Sequence, residues 1–201
     1  MNATAGQASA SRAVAQRDRI LCAALKCFIE HGFHAASMAN IAETAQMSAG
    51  LMYRYFDNKN AIVLGIIERQ LEEKRAIVRQ LHSSTDIAAG LLTAFERWCA
   101  ADPQVMNAAL LLEMSAEATR NPQLAAALQV FDAGMRLELQ AWLERDRDLG
   151  GMGLPPDRAT TRALALQCFI DGLVLRSARE PNVDRDQLRA AVYAQIEQLT
   201  A

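Results

Sequence analysis

Several features that would narrow the function are scarce or missing in these 201 residues. The four cysteines, Cys22, Cys27, Cys99 and Cys168, form no CxxC pair and have no His or Cys neighbour at zinc-site spacing, so neither a disulfide framework nor a metal site is expected. Buried or half-buried thiols in a reducing compartment are the plain reading, with a redox switch as the other. No apolar run approaches the roughly 20 residues that a membrane span needs; the longest of note is "AIVLGII" at 61–67. The opening "MNATAGQASASRAVAQRDR" has no apolar core of a secretory signal. A cytoplasmic chain with no membrane partner follows. Net charge is −2, without the overall positive excess of a nucleic-acid binder. Strand-like alternation, internal repeats, a Gly-rich phosphate loop, a dinucleotide fingerprint and a nucleophile–base pair are all missing, so neither an enzyme nor a cofactor is expected.

Hydrophobic residues make up 51% of the chain and charged residues 22%, while aromatics make up only 5%, a balance that leans on helix-forming alanine and leucine. Charge is uneven. Residues 1–60 hold six Lys or Arg against four acids, net +2, and the remainder is net −4, so a polyanion would be drawn to the N-terminal part.

An all-α fold is predicted, divided into an N-terminal arm at 1–11, a head of three short helices at 12–59 and a larger helical body at 60–201. A helix from about Ser11 carries Ile20, Ala24, Cys27 and Phe28 at helical spacing and ends at "EHGF", where Gly32 can turn left-handed. His31 and His34 flank that end as partners of the helix dipole. Ser37 caps a short helix with Ile41, Ala42 and Ala45, and Ser48 caps a second after "AQM". So tight a pair reads as helix-turn-helix. The body pattern begins with residues 60–82, where Val63, Ile67, Leu71, Val78 and Leu81 share a face. It continues through helices broken at "HSSTD", "ADP" and "RNP", one from about Gln123 to Asp148, the loop "LGGMGLPPD", and two last helices at 158–179 and 185–199.

In "SAGLMYRYFDNKN", Ala49, Gly50, Tyr53, Arg54 and Asp57 share an arc of roughly 140° on a helical wheel, away from Met52 and Phe56, with Tyr55 at the margin. The outward set suits a DNA major groove. Gly50 permits close backbone approach, Tyr53 offers a hydroxyl on a rigid ring, and Arg54 can bond guanine O6 and N7 together. Ala49 can touch a thymine methyl. Ser37 and Ser48 stand at helix starts that favour phosphate, and Lys59 adds a flanking charge. Packing of the three rings against a neighbouring domain is the competing reading.

At these positions the chain resembles the tetracycline-repressor (TetR) family of transcriptional regulators. The match covers about residues 19–71 and rests on Phe28, Gly32, Phe33, Ser37, Ile41, Ala42, Ala45, Ser48, Gly50, Met52, Tyr53, Tyr55, Phe56 and Lys59. The resemblance implies a DNA-binding head, a ligand-binding body, and a homodimer formed by the last two helices. It also implies that Ser37, Ser48, Tyr53, Tyr55 and Lys59 contact the DNA backbone. The chain departs from the family at Gln46, where glycine is frequent and φ > 0 is expected, at Met38, where threonine is frequent, and at Ala49, where a longer polar side chain is common.

The expected function is a regulator, as a rule a repressor, that binds a pseudo-palindromic operator in double-stranded DNA and is released by a small-molecule effector. A helical protein-interaction module, or an enzyme using a pocket carboxylate, is the alternative. Met106, Leu110 and Glu113 fall on one side of a helix with Glu117, as a pocket wall or, for the carboxylates, as salt-bridge partners of an arginine. Trp98, Met114, Met135, Trp142, Gln167, Cys168 and Asp171 are further pocket candidates, with ordinary core as the other reading. Leu166, Phe169, Ile170 and Leu173, with Leu188, Val192, Ile196 and Leu199, make apolar faces that suit a four-helix dimer interface. A monomer closing its own core would use the same pattern.

Overall fold

A computed structural model describes residues 2–69, 86–100, 102 and 107–201, with side chains from residue 11 onward. Among the described residues every regular element is helical. Helix α1 (Asn2–His31) is followed by α2 (Met38–Thr44), α3 (Ala49–Tyr53) and α4 (59–69). The body adds α5 (Ile87–Cys99), α6 (Ala108–Ala118), α7 (Pro122–Glu144), α8 (Pro156–Arg179) and α9 (Arg185–Thr200). The backbone of residues 2–10 is helical, so α1 starts well before the Ser11 read from the sequence. Leu71, Val78, Leu81 and Met106 lie outside the described residues.

Caps explain most boundaries. Asp86, Asn107, Asn121 and Asp184 each accept a backbone N–H from the third residue of the helix they open, satisfying a donor that has no partner inside the helix. Helix α7 stops at Glu144, earlier than the sequence reading. There the chain turns tightly: Gly153 N–H bonds the Arg145 carbonyl, Leu154 N–H bonds that of Leu143, and Trp142 Nε1 bonds that of Gly150. A Cβ on Gly151 would stand 2.1 Å from the Arg145 carbonyl oxygen, so only glycine fits.

Two apolar cores result. The first joins Ile20, Phe28, Phe33, Ile41, Met52, Phe56 and Val63 of α1–α4 to Leu110, Met114, Leu124 and Phe131 of α6 and α7. It therefore crosses the head–body boundary drawn at residue 59. The second gathers Leu91 and Phe95 of α5, Leu139, Trp142 and Leu143 of α7, Leu166 and Leu173 of α8, and Leu188, Val192, Ile196 and Leu199 of α9.

That second core corrects the expected dimer face. Leu166, Leu173, Leu188, Val192, Ile196 and Leu199 are buried within the subunit, and Phe169 and Ile170 are half-buried against the same cluster. Helical period says that a stripe must be covered but not by which body, and here α5 and α7 cover it.

Helix α9 is also tied to α5 by a bond from the Tyr193 hydroxyl to Asp86 Oδ2 at 2.8 Å. The Ala89 N–H and then the Tyr193 hydroxyl hold Asp86 below its ordinary value, and the bond to Asp86 raises Tyr193. The depressed carboxylate contributes stability above its unfolded value and loses it as pH falls through the folded one. The raised phenol contributes below its unfolded value and loses it as pH rises through the folded one. Melting temperature against pH for Tyr193→Phe should therefore lose this pair's alkaline limb and weaken the acid one. An alkaline limb unchanged from wild type would mean that the bond is not made in solution.

Candidate nucleic-acid interface

The turn between α2 and α3 sets the site. Ser37 opens α2 with a capping box: its Oγ accepts the Asn40 N–H, and Asn40 Oδ1 accepts the Ser37 N–H and hydroxyl. At the far end Gln46 N–H bonds the Glu43 carbonyl and Met47 N–H that of Ala42, the paired bonds of a Schellman end. That end needs a left-handed residue, and Gln46 takes φ 52°, as the family resemblance implied. A side-chain-bearing residue there costs about 1–2 kcal/mol. Ser48 Oγ then accepts the Leu51 N–H and starts α3.

Helix α3 is one and a half turns long and cannot hold itself. Met52, fully buried, is its only buried residue, and Phe56 follows into the same core. Two arginines of α1 brace the motif through its backbone. Arg19 Nη2 donates to the Gln46 carbonyl at 3.1 Å, and Arg17 Nη1 donates to that of Tyr55 at 3.3 Å while its guanidinium lies over the Phe56 ring. The sequence reading missed both braces; the signal was two cations on a helix otherwise packed against the motif.

What remains outward is the predicted set without Tyr55 and Lys59. Ser37, Ser48, Ala49, Gly50 and Arg54 are exposed, and Tyr53 is 50% exposed. A Cβ on Gly50 would meet nothing within 4 Å, so packing inside the subunit does not require glycine there. Tyr55 is different, since it is half-buried and packs on the first core.

Lys59 is a correction. Its ammonium donates to the carbonyls of Phe33 at 2.7 Å, Ala36 at 3.1 Å and His34 at 3.3 Å, and it lies over the Phe33 ring. Three hydrogens meet three acceptors inside the head, leaving none for a phosphate. Burial lowers its pKa, partly offset by the nearby Glu117 carboxylate.

The expected pocket residues do not converge. Leu110, Met114 and Met135 join the first core, and Trp98 and Trp142 the second. Gln167 is buried between Arg136, whose Nε donates to its Oε1 at 3.0 Å, and the Asp132 carbonyl. Cys168 and Asp171 are exposed on α8. Glu113 is exposed at the junction of head and body, where its Oε2 accepts the Phe33 N–H at 2.5 Å. Glu117 lies 3.1 Å from Arg120 Nη2 and 3.4 Å from His34 Nε2. The two carboxylates thus fasten α6 to the loop after α1, around a cleft of about 420 Å³ lined by His31, Phe33, His34, Glu113 and Arg120.

Comparison with known proteins agrees with this architecture. Residues 20–66 match the family model described as "Bacterial regulatory proteins, tetR family", and residues 88–201 match that described as "BetI-type transcriptional repressor, C-terminal". The chain is similar to the HTH-type transcriptional regulator UidR of Escherichia coli (strain K12), with 34% identity over 117 residues, 56% of this chain and 57% of UidR. The chain thus spans about 57% of the length of that relative. It is similar to the HTH-type transcriptional regulator BetI of Yersinia pestis (strain Pestoides F), with 27% identity over 188 residues, 91% of each chain. Among solved structures, Salmonella enterica GusR has a TM-score of 0.66 at 27% identity, covering 90% of this chain and 95% of that one.

Proposed function

Because the chain belongs to the tetR family of bacterial regulatory proteins, we propose that it is a ligand-responsive transcriptional regulator whose α3 reads an operator in double-stranded DNA. One observation carries this reading. Met52 and Phe56 anchor α3 inward, while Ala49, Gly50, Tyr53 and Arg54 face solvent with no packing role. Among the described residues Arg54 has no hydrogen-bond or ion-pair partner, and a guanidinium so placed suits guanine.

The active species is a homodimer. One α3 covers too little DNA for useful specificity, so two copies read half-sites of a pseudo-palindrome. The faces of α8 and α9 left outward after the second core closes, with Leu164, Cys168, Gly172, Ala194 and the exposed edge of Tyr193, are those available to a second copy.

Repression is the expected sign. A small-molecule effector bound in the body releases DNA by favouring a head orientation that no longer fits two half-sites. The shared first core and the Glu113–Phe33 bond support such coupling, since a shift of α6 carries the loop that ends α1.

Selection of bound duplexes from a random pool, followed by titration at several salt concentrations, tests the reading. Wild type should enrich a two-fold related sequence whose affinity falls steeply with salt. Arg54→Ala should lose about 1–3 kcal/mol of discrimination at one base pair of each half-site. Failure to enrich any duplex would overturn the proposal.

A further inference from the structure

The N-terminal half of α1 extends past the helix-turn-helix and meets the end of α3. There a cleft of about 370 Å³ is lined by Arg12, Ala13, Arg54 and Tyr55. Among the described residues both charged side chains that line it are arginines. We propose that this cleft binds a phosphodiester group of the duplex, with Arg12 as the anchoring cation, beside the base contact assigned to Arg54. The inference rests on the reading of α3 as the DNA-binding helix and adds a residue outside the motif that defines it.

The scaffold supports the assignment. Arg17, five residues after Arg12 on the same helix, bonds the Tyr55 carbonyl and fixes α1 against the last turn of the recognition element. Arg19 fixes the other end at Gln46. The placement of Arg12 relative to Arg54 is therefore set by a braced helix rather than by a loop. Arg12, Gln16 and Arg19 share one stripe of α1 at intervals of four and three. A duplex seated on the exposed face of α3 has its backbone at the groove edge, and the cleft continues that face toward α1. A guanidinium can give a phosphate two parallel N–H bonds, so one arginine both attracts and orients the strand.

The test uses a duplex recovered by selection and a random-sequence duplex, titrated by anisotropy at several salt concentrations. Wild type, Arg12→Ala, Arg12→Gln and Arg12→Lys are compared, with thermal melting as a folding control. Loss of Arg12 should weaken both duplexes by a similar factor, about three- to tenfold at low salt, and reduce the slope of log K against log salt by about 0.9. The lysine variant should keep the slope, because the charge remains. Wild-type slope and affinity in both neutral variants would overturn this site while leaving the regulatory reading in place. A change in base preference with an unaltered slope would also overturn it. A wild-type protein that bound neither duplex would overturn the regulatory reading and this site with it.

Discussion

Met52→Ala should lower stability by about 2–5 kcal/mol, the range for removing a fully buried large apolar side chain, and should weaken operator binding beyond what a surface contact would. The reason lies in the length of α3. Five residues form too short a helix to persist alone, and Met52 is the residue within it that is buried. Without that anchor the Ser48 cap, the Arg17 and Arg19 bonds to the backbone and Phe56 beyond its end must hold the element. The binding-competent fraction then falls, and apparent affinity falls with it. Met52→Leu keeps the volume, should cost less than about 1.5 kcal/mol and should keep binding. Denaturant melts beside DNA titrations separate the effects. An alanine variant with wild-type stability would show that α3 is held by something other than its inward face.

Much of this was legible before any coordinates. The caps Ser37 and Ser48, the split of α3 into an inward pair and an outward set, and the helical pattern of the body follow from local chemistry, while the left-handed Gln46 was implied by the family resemblance. Within one or two turns, periodicity and hydrogen-bonding capacity leave few alternatives. Partner identity was not legible. The stripe on α8 and α9 reads the same whether α5 and α7 or a second subunit covers it, and in this fold the subunit covers it itself. Glu113 lies eighty positions from its Phe33 partner, so no spacing rule links them. The apolar pocket candidates Trp98, Leu110, Met114, Met135 and Trp142 are residue types that suit cores as well as pockets.

Lys59 shows how a side chain can fit a motif and still act elsewhere. Removing it as Lys59→Ala leaves the carbonyls of Phe33, His34 and Ala36 without the ammonium and the Phe33 ring without its cation. Water can replace part of this, since the group is only half-buried, so the expected loss is about 2–3 kcal/mol rather than the full sum of three charged bonds. The loop concerned also receives the Glu113 carboxylate from α6, so loosening it should disturb how the head sits on the body. Burial lowers the Lys59 pKa, so in the window between its folded and unfolded values the unfolded chain binds more protons and stability rises with pH; the alanine variant lacks that rise. The DNA measurement separates this latch from a phosphate contact. A latch variant, corrected for its folded fraction, keeps the wild-type slope of log affinity against log salt. Removal of a lysine that bonded phosphate would lower that slope by about 0.9 with little change in melting. That second pattern would return Lys59 to the DNA-contacting set and mean that its three carbonyl bonds yield to a phosphate when the duplex arrives.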